Sequence, residues 1–220
     1  MEEQGIPILH VDDNFIVVNK PAGIATVPGG WNNPAPSLLK ILEVDFNHLW
    51  IVHRLDRVTS GVVIFARNKE THRNLSMLFG SHTVKKTYHA ICNGNPKWED
   101  YDARLPLRFD VGHNHRTVVD HRYGKPSETN FRLLERFSGH CLMEALPTTG
   151  RTHQVRIHAS TLGFPLLGDT LYNAPKSCLI PRPALHAVSL EFDIGNKQLV
   201  FTAPYPDDFK KALDKMRAGR

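Results

Sequence analysis

Short apolar runs separated by turn-forming residues dominate the first third of the chain. Ile8 to Val11 and Phe15 to Asn19 flank Asp12-Asp13-Asn14, which predicts two strands joined by a tight turn. Val62 to Ala66 is continuously apolar and rich in β-branched residues, as expected of a strand inside a core. Residues 21 to 36 are rich in Pro and Gly, and we expect a loop there.

Helical spacing of apolar residues appears in other segments. Ser37 and Asn68 each precede such a segment and are expected to cap a helix, because a short polar side chain can accept a hydrogen bond from a free backbone N–H. Another helix is predicted to open at Thr152 and to end at Gly163. The last residues of the chain predict a basic amphipathic helix.

The remaining segments favour strands and hairpins. Strands are predicted at Leu49 to Val52, Thr83 to Asn93, within 104–136, at Cys141 to Leu146, and as a hairpin of Leu185 to Ile194 with Gln198 to Ala203. Because helices and hairpins are interspersed without regular βαβ repeats, we expect an α+β fold with a mixed, largely antiparallel central sheet and flanking helices. Residues 1–220 are expected to form a single catalytic domain, or two subdomains sharing one sheet with a central cleft.

Composition narrows the class of protein. The 220 residues are 41% hydrophobic and 22% charged, which excludes a disordered chain, a collagen-like fibre and a coiled coil. No apolar run approaches the roughly 18 residues that a membrane span needs, and the N-terminus lacks the pattern of a signal peptide. Three widely spaced cysteines favour reduced thiols, so we expect a cytoplasmic protein. The net charge of +5 suits a polyanionic partner.

Motifs for cofactors are not found. The sequence has no Walker-type phosphate loop, no G-x-G-x-x-G after a strand and no pair of Cys-x-x-Cys motifs. His153 and His158 are five positions apart, which places them on different faces of a helix and disfavours a zinc site. We therefore expect no cofactor and no metal, with the chemistry performed by side chains.

Three segments are candidates for that chemistry. Asp56 lies between Arg54 and Arg57, whose charges would keep the carboxylate ionised, so Asp56 is a candidate nucleophile or a salt-bridged loop acid. In a helix from Thr152, His153 and Arg156 share a face, and Arg156 could direct its guanidinium at a carboxylate or phosphate, or simply be solvated.

The third segment is Lys85 to Ala90. On a strand, Lys86, Tyr88 and Ala90 share one face, whereas Lys85, Thr87 and His89 share the other. Tyr88 is then a candidate catalytic residue or a packed core tyrosine.

Together these segments give the chain a resemblance to RluA-type pseudouridine synthases, extending from about Ile8 to Ala203. The resemblance rests on Asn-Lys-Pro-Ala-Gly at 19–23, His-Arg-Leu-Asp-Arg-x-Thr-Ser-Gly at 53–61, Lys-x-Tyr at 86–88, Gly-Arg-Thr-His-Gln-x-Arg-x-His at 150–158, Leu-Gly-x-Pro at 162–165, Gly-Asp at 168–169 and Leu-His-Ala at 185–187. It implies the pseudouridine synthase fold in the branch that lacks a small N-terminal RNA-binding module.

The resemblance also implies roles for individual residues. Asp56 matches the catalytic aspartate, Tyr88 the tyrosine beneath the target base, and Arg156 the arginine that pairs with the aspartate. Arg54 matches a residue that fills the space of the extruded base, and His53 would shape the same loop. Further contacts with RNA are expected from Arg57, Thr59, Arg116, Arg151, His153 and Gln154.

The implied activity is isomerisation of uridine to pseudouridine in RNA by base flipping, with transfer RNA anticodon arms or large-subunit ribosomal RNA hairpins as substrates. RNA is the expected partner, with no membrane, no obligate protein partner and a monomeric state. One alternative is a non-catalytic RNA-binding protein on the same scaffold. Another is a hydrolase, which requires a second catalytic acid, with Glu144 and Asp169 as the candidates.

Overall fold

The computed structural model describes residues 5–28, 36–112 and 116–219. They form two compact units: unit 1 comprises Met1–Lys85 with Ala187–Pro204, and unit 2 comprises Lys86–His186 with Tyr205–Arg220. The strands, in chain order, are β1 (Ile8–Val11), β2 (Phe15–Lys20), β3 (Trp50–Ile51), β4 (Ser60–Ala66), β5 (Lys85–Asn93), β6 (Asp100–Arg104), β7 (Leu107–Val111), β8 (Arg116–Val119), β9 (Glu128–Phe137), β10 (His140–Pro147), β11 (Leu185–Ile194) and β12 (Lys197–Thr202). The helices are α1 (Leu38–Phe46), α2 (Lys69–Gly80), α3 (Gln154–Thr161) and α4 (Asp207–Ala218).

In unit 1 the strand order is β1-β2-β4-β11, with β3 paired to β4 and β12 paired to β11. The β1–β2 and β11–β12 pairs are antiparallel hairpins, as predicted. Every residue of β4 is buried, which agrees with its continuous apolar sequence. The predicted loop 21–36 contains no helix or strand over 21–28 and at 36, and residues 29–35 lie outside the described part of the chain.

Both helices of unit 1 begin at the predicted caps. The Ser37 hydroxyl accepts from the Lys40 amide at 3.3 Å, and the Asn68 carbonyl oxygen Oδ1 accepts from the Thr71 amide at 2.9 Å. Helix α2 packs against β3 and β4, where Leu75 joins an apolar cluster with the strands. This packing supports one side of the segment that joins β3 to β4.

In unit 2 the strand order is β5-β10-β9-β6, with every neighbouring pair antiparallel. Strands β7 and β8 form a separate two-stranded ribbon. Helix α4 buries an apolar face made of Phe209, Ala212, Leu213 and Met216, which confirms the predicted amphipathic helix. The α+β class with a largely antiparallel sheet is therefore confirmed.

The prediction that a helix opens at Thr152 is wrong by two residues. Helix α3 begins at Gln154, and His153 just before it has a left-handed backbone with φ of 56°. A residue with this backbone cannot be part of a right-handed helix, so His153 and Arg156 do not share a helix face. The predicted end at Gly163 is confirmed within one turn. Helix α3 ends at Thr161, Leu162 is its C-cap, and Gly163 has a left-handed backbone with φ of 89°.

Candidate active site

The segment between β3 and β4 carries Asp56 and is fastened to unit 1 through its backbone. Leu55 is buried, its amide donates to the Thr26 hydroxyl at 3.1 Å, and its carbonyl accepts from that hydroxyl at 2.9 Å. The Asp56 carbonyl accepts from the Thr59 amide at 3.0 Å, which closes a turn directly after the carboxylate. The half-buried Asp56 side chain is thus held on a backbone that is fixed on both sides.

A fully buried lysine also holds the same segment through hydrogen bonds to backbone carbonyls. Lys20 has no exposed surface, and its ammonium donates to the carbonyls of Pro21 at 3.0 Å, Ile24 at 2.8 Å and Arg57 at 3.3 Å. A buried charge is tolerated only when it is hydrogen-bonded, and three carbonyls meet that need. Two hydrogen bonds between Gly23 and Arg57 complete the connection. The Gly23 amide donates to the Arg57 carbonyl at 2.7 Å, and the Arg57 Nε donates to the Gly23 carbonyl at 2.8 Å.

The other predicted residues of the segment between β3 and β4 include His53, Arg54 and Thr59, which differ in their contacts and in their exposure to solvent. The His53 Nε2 accepts from the Ile64 amide at 3.1 Å, and its ring stacks on Phe79 with centroids 4.6 Å apart, so His53 braces the segment against β4 and α2. Arg54 is exposed. Thr59 is buried, and its hydroxyl has no hydrogen-bond partner among the described residues.

Tyr88 lies in unit 2 on β5, and its half-buried ring packs against an apolar cluster of that unit. Lys86 and Ala90, two positions before and after it, are buried on the same face, as the strand period predicts. The Lys86 ammonium donates to the Thr148 carbonyl at 3.2 Å, and burial lowers the pKa of Lys86. On the opposite face, the His89 Nδ1 is hydrogen-bonded to the Tyr205 hydroxyl, and burial lowers the pKa of His89.

Arg156 on α3 is held by a buried ion pair. Its Nε donates to Asp169 Oδ2 at 2.6 Å and its Nη2 to Asp169 Oδ1 at 2.8 Å, with Arg156 only 4% and Asp169 only 1% exposed. The guanidinium carbon also lies 5.1 Å from the centre of the Tyr172 ring, within range of a cation–π interaction. A two-point contact with a carboxylate fixes the plane of the guanidinium.

Tyr172 connects Arg156 to the segment before α3. The Tyr172 hydroxyl accepts from the Thr117 amide at 3.0 Å and is 2.9 Å from His153 Nδ1. Burial raises the pKa of Tyr172, so the phenol remains protonated at neutral pH. Its hydrogen bond to His153 helps to hold that residue in its left-handed conformation.

Gln154 has a structural role that the sequence did not indicate. Its Nε2 donates to the Glu128 carbonyl at 2.8 Å and to the Thr129 hydroxyl at 3.0 Å, while its Oε1 accepts from the Thr149 hydroxyl at 2.7 Å and from the Arg151 amide at 3.0 Å. All four hydrogen-bonding positions of the amide are occupied, and the amide thereby positions residues 149–151. The expected contact of Gln154 with RNA stays a prediction.

The structure therefore divides the predicted residues between two groups. Unit 1 brings together His53, Arg54, Asp56, Arg57 and Thr59. Unit 2 contains Tyr88, Arg156 and His153, with Arg151 exposed before α3 and Arg116 exposed at the start of β8. The pairing of Arg156 with Asp56 concerns residues of different units and stays a prediction.

Sequence reasoning missed the roles of Asp169 and Tyr172. The Gly-Asp pair at 168–169 was one of the motifs of the resemblance, but no role was assigned to it, and Asp169 was otherwise considered only as an acid for hydrolysis.

In the described residues, no group of three or more His, Cys, Asp or Glu side chains is arranged to hold a metal ion. No helix within 5–28, 36–112 or 116–219 is long and apolar enough to span a membrane.

Comparisons with known proteins identify the family. The model of the RNA pseudouridylate synthase family matches residues 14–161. The dual-specificity RNA pseudouridine synthase RluA of Pasteurella multocida is 36% identical over 203 residues, which are 90% of this chain and 93% of the relative. Ribosomal large subunit pseudouridine synthase C of Vibrio cholerae is 36% identical over 219 residues, 96% of this chain and 69% of the relative.

Solved structures agree with these sequence matches. Human RNA pseudouridylate synthase domain containing 4 superposes with a TM-score of 0.79 at 26% identity, covering 96% of this chain and 93% of the human chain. The predicted resemblance is therefore confirmed. The chain belongs to the RluA-type RNA pseudouridylate synthases and is an isomerase that converts uridine to pseudouridine in RNA.

Proposed function

We propose that the chain modifies uridines in hairpin loops of structured RNA, in the tRNA anticodon arm, in large-subunit rRNA, or in both. The names of the relatives support this range, since one is a dual-specificity enzyme and another acts on the large ribosomal subunit. A uridine in a loop is less stacked than one in a duplex, so less free energy is needed to expose it. Flipping a uridine out of a hairpin loop therefore costs less free energy than flipping one out of a duplex, which favours a hairpin loop as the substrate.

Asp56 is the proposed catalytic residue. The observation that carries this proposal is the fastening of its backbone, by Thr26 before it and by Lys20 and the Thr59 turn after it. A carboxylate on a fixed backbone meets the sugar and the base of a bound uridine in one orientation, which favours reaction. It attacks the sugar or the base, or stabilises a cationic sugar, while the glycosidic nitrogen–carbon bond breaks and a carbon–carbon bond forms.

Arg156 and Tyr88 are the proposed partners of Asp56 in catalysis. Arg156 keeps the carboxylate ionised and aimed, and its own orientation is set by Asp169. Tyr88 stacks on the uracil ring and assists removal of a proton from carbon 5 or from the sugar. We further propose that residues 1–220 act as a single catalytic domain.

Binding of RNA has to supply the free energy for base flipping, which is a few kcal/mol. The exposed Arg54 is proposed to occupy the space that the flipped base leaves. Phosphate contacts are proposed for the exposed Arg57, Arg116 and Arg151, with His153 beside them. His53 and Thr59 act on the shape of the Asp56 segment.

Hydrolysis of the glycosidic bond is disfavoured by the positions of the other acids. Asp169 is committed to the buried pair with Arg156, and Glu144 is 3.4 Å from Arg132 in an ion pair. Neither carboxylate can act as the second acid that a glycoside hydrolase requires without breaking its ion pair.

We also propose that the protein is a cytoplasmic monomer with no obligate protein partner. The support is that Cys92, Cys141 and Cys178 are free thiols, as in a reducing compartment, and that all proposed catalytic groups come from one chain. Light scattering after size-exclusion chromatography, with and without RNA, measures the oligomeric state.

Position-resolved mapping of pseudouridine tests the proposed substrate. RNA from cells without the gene is incubated with the purified protein, and new pseudouridines are located. We expect them in hairpin loops of tRNA or large-subunit rRNA. New pseudouridine confined to duplex regions, or none in either class of RNA, would overturn the proposal.

A further inference from the structure

A tight turn in unit 2 presents an aromatic ring to solvent. Asp120 Oδ1 accepts from the backbone amides of Arg122 and Tyr123, each at 2.9 Å, and its backbone carbonyl accepts from the Gly124 amide at 2.8 Å. A Cβ on Gly124 would lie 2.3 Å from that carbonyl oxygen and 2.7 Å from the Pro106 carbonyl carbon, so only glycine fits here. The turn is therefore closely packed and fixes the backbone from which the Tyr123 ring projects.

The exposed ring of Tyr123 is accompanied by positive charge. Tyr123 is 60% exposed, and the guanidinium carbons of Arg122 and Arg108 lie 5.0 Å and 5.9 Å from its ring centre. Arg108 is anchored by an ion pair with Asp120 at 3.0 Å. A large aromatic ring that is exposed on a rigid turn offers a flat apolar face, and base stacking on such faces is a common means of binding unpaired nucleotides.

A hollow of about 410 Å³ lies beside this ring. Its walls include Tyr123, Arg108, Lys125 and residues 150–152, and no acidic residue of the described part of the chain lines it. This volume is within the range of sites for small ligands, which is roughly 300–1,000 Å³. An aromatic wall with cations around it matches a nucleotide, which has an apolar base and an anionic phosphate.

Two other hollows contain acids beside their cations. A hollow of about 520 Å³ in unit 1 is lined by Asp12 and Glu70 together with His10 and Lys197, and one of about 540 Å³ beside α4 is lined by Asp207, Asp208 and Asp214 together with Lys211 and Lys215. Carboxylates repel a phosphate, so these hollows suit RNA less well than the hollow beside Tyr123. The hollow beside Tyr123 combines a stacking surface with cations and lacks acids.

We propose that this hollow binds one unpaired nucleotide of the substrate RNA other than the target uridine. The base stacks on Tyr123, and Lys125 and Arg151 hold its phosphate. The proposal rests on the proposed function, because it takes the hairpin RNA as the ligand. It adds a second point of recognition in the loop, so that an RNA with a paired nucleotide at that position binds more weakly.

Binding of a fluorescein-labelled hairpin, with the mapped uridine in its loop, tests this site by fluorescence anisotropy at several salt concentrations. Loss of one stacked base costs roughly 1–3 kcal/mol, so Tyr123→Ala should weaken binding by about 5- to 150-fold without changing the salt dependence. Lys125→Ala should weaken binding and reduce the salt slope by about one. Tyr123→Phe should retain binding, since it keeps the ring.

Tyr101→Ala is the matched control, since Tyr101 is an exposed aromatic residue on β6 of the same unit and is not part of this hollow. Binding by Tyr123→Ala within two-fold of wild type, or a lowered salt slope in that variant, overturns the site. The proposed function fails separately, if the wild-type protein forms no pseudouridine in the same hairpin.

Discussion

Arg156 and Asp169 form a two-point ion pair inside unit 2, with both side chains almost completely buried. The pair joins α3 to the segment just before the 3₁₀ turn at Thr170–Tyr172, and the Tyr172 ring lies against the same guanidinium. Arg156 is thereby fixed from two sides before any substrate arrives. We infer that Asp169 sets the direction in which Arg156 acts.

Replacing Asp169 should therefore impair both stability and catalysis. Asp169→Asn keeps the shape but removes the carboxylate charge that makes a two-point contact with the buried guanidinium, and breaking such a buried pair costs roughly 3–5 kcal/mol. In the folded fraction, we expect kcat to fall about 100-fold through misplacement of Arg156, with RNA affinity little changed. Urea unfolding and single-turnover kinetics measure the two effects.

Asp102→Asn is the control for that substitution, because Asp102 lies on β6 with its side chain 51% exposed and forms only surface contacts. A surface change of this kind should alter stability by no more than about 0.5 kcal/mol. Wild-type kcat and stability in Asp169→Asn would contradict the role given to the pair.

Lys20 should be needed for the position of Asp56. Lys20→Met retains the length of the side chain but removes the ammonium that donates to the carbonyls of Pro21, Ile24 and Arg57. A carbonyl left without a donor away from water costs roughly 1–3 kcal/mol. We expect a lower urea midpoint and a lower kcat, because the carbonyl of Arg57, next to Asp56, keeps its hydrogen bond from the Gly23 amide but loses the one from Lys20. Lys69→Met, at the exposed start of α2, should leave both quantities unchanged. Equal behaviour of the two variants would refute this role.

The fold should not tolerate a side chain at Gly61. Its φ is 120°, and a Cβ there would lie 2.1 Å from the carbonyl oxygen of Ala187 on β11. We expect Gly61→Ala to cost more than about 3 kcal/mol or to prevent folding, since strain and overpacking add. Gly139→Ala, with φ of 70° and no atom within 4 Å, should cost only about 1–2 kcal/mol. Denaturant unfolding measures the free energy of unfolding of both variants. A similar loss in Gly61→Ala and Gly139→Ala would contradict the close contact between Gly61 and Ala187.

Stability should decline on mild acidification, in part through His158. This residue is fully buried between the Ser127 hydroxyl, the Thr129 hydroxyl and the Leu105 carbonyl, and burial lowers its pKa below the ordinary value. Between the ordinary value of about 6.5 and the lowered pKa, the unfolded chain binds more protons than the folded one. Its contribution is therefore present above about pH 6.5 and is lost as the pH falls towards the lowered pKa.

His158→Gln cannot titrate, so it should show a smaller loss of unfolding free energy between about pH 7.5 and pH 5.5 than the wild type. The slope is the readout, because the variant is also expected to be less stable at every pH. His89, whose pKa is likewise lowered by burial, accounts for a remaining slope. An unchanged slope in the variant would exclude His158 as a source of the acid sensitivity.

Local signals in the sequence were sufficient for much of the fold. The caps at Ser37 and Asn68 and the turn around Gly195 depend on residues a few positions apart, and the structure confirms them. The start of α3 was misplaced because the residue type at His153 is compatible with a helix, whereas a contact with Tyr172, 19 residues later, accompanies its left-handed backbone.

The site was predicted less completely than the fold. Asp56, Tyr88 and Arg156 were proposed through their motifs, whereas Asp169, the buried ion-pair partner of Arg156, lies 13 positions further along the chain and beyond the end of α3. Nothing in local periodicity reports such a contact. The structural role of Gln154 was missed for the same reason, since its partners Glu128 and Thr129 are on β9.

Asp56→Asn provides the most direct test of the account. Conversion of uridine to pseudouridine in the mapped hairpin is measured under single-turnover conditions, beside RNA affinity, for wild type, Asp56→Asn and the exposed control Asp45→Asn of the same unit. We predict background conversion for Asp56→Asn with affinity near that of wild type, and full activity for Asp45→Asn. Conversion by Asp56→Asn at the wild-type rate would contradict the assignment of Asp56 as the catalytic residue.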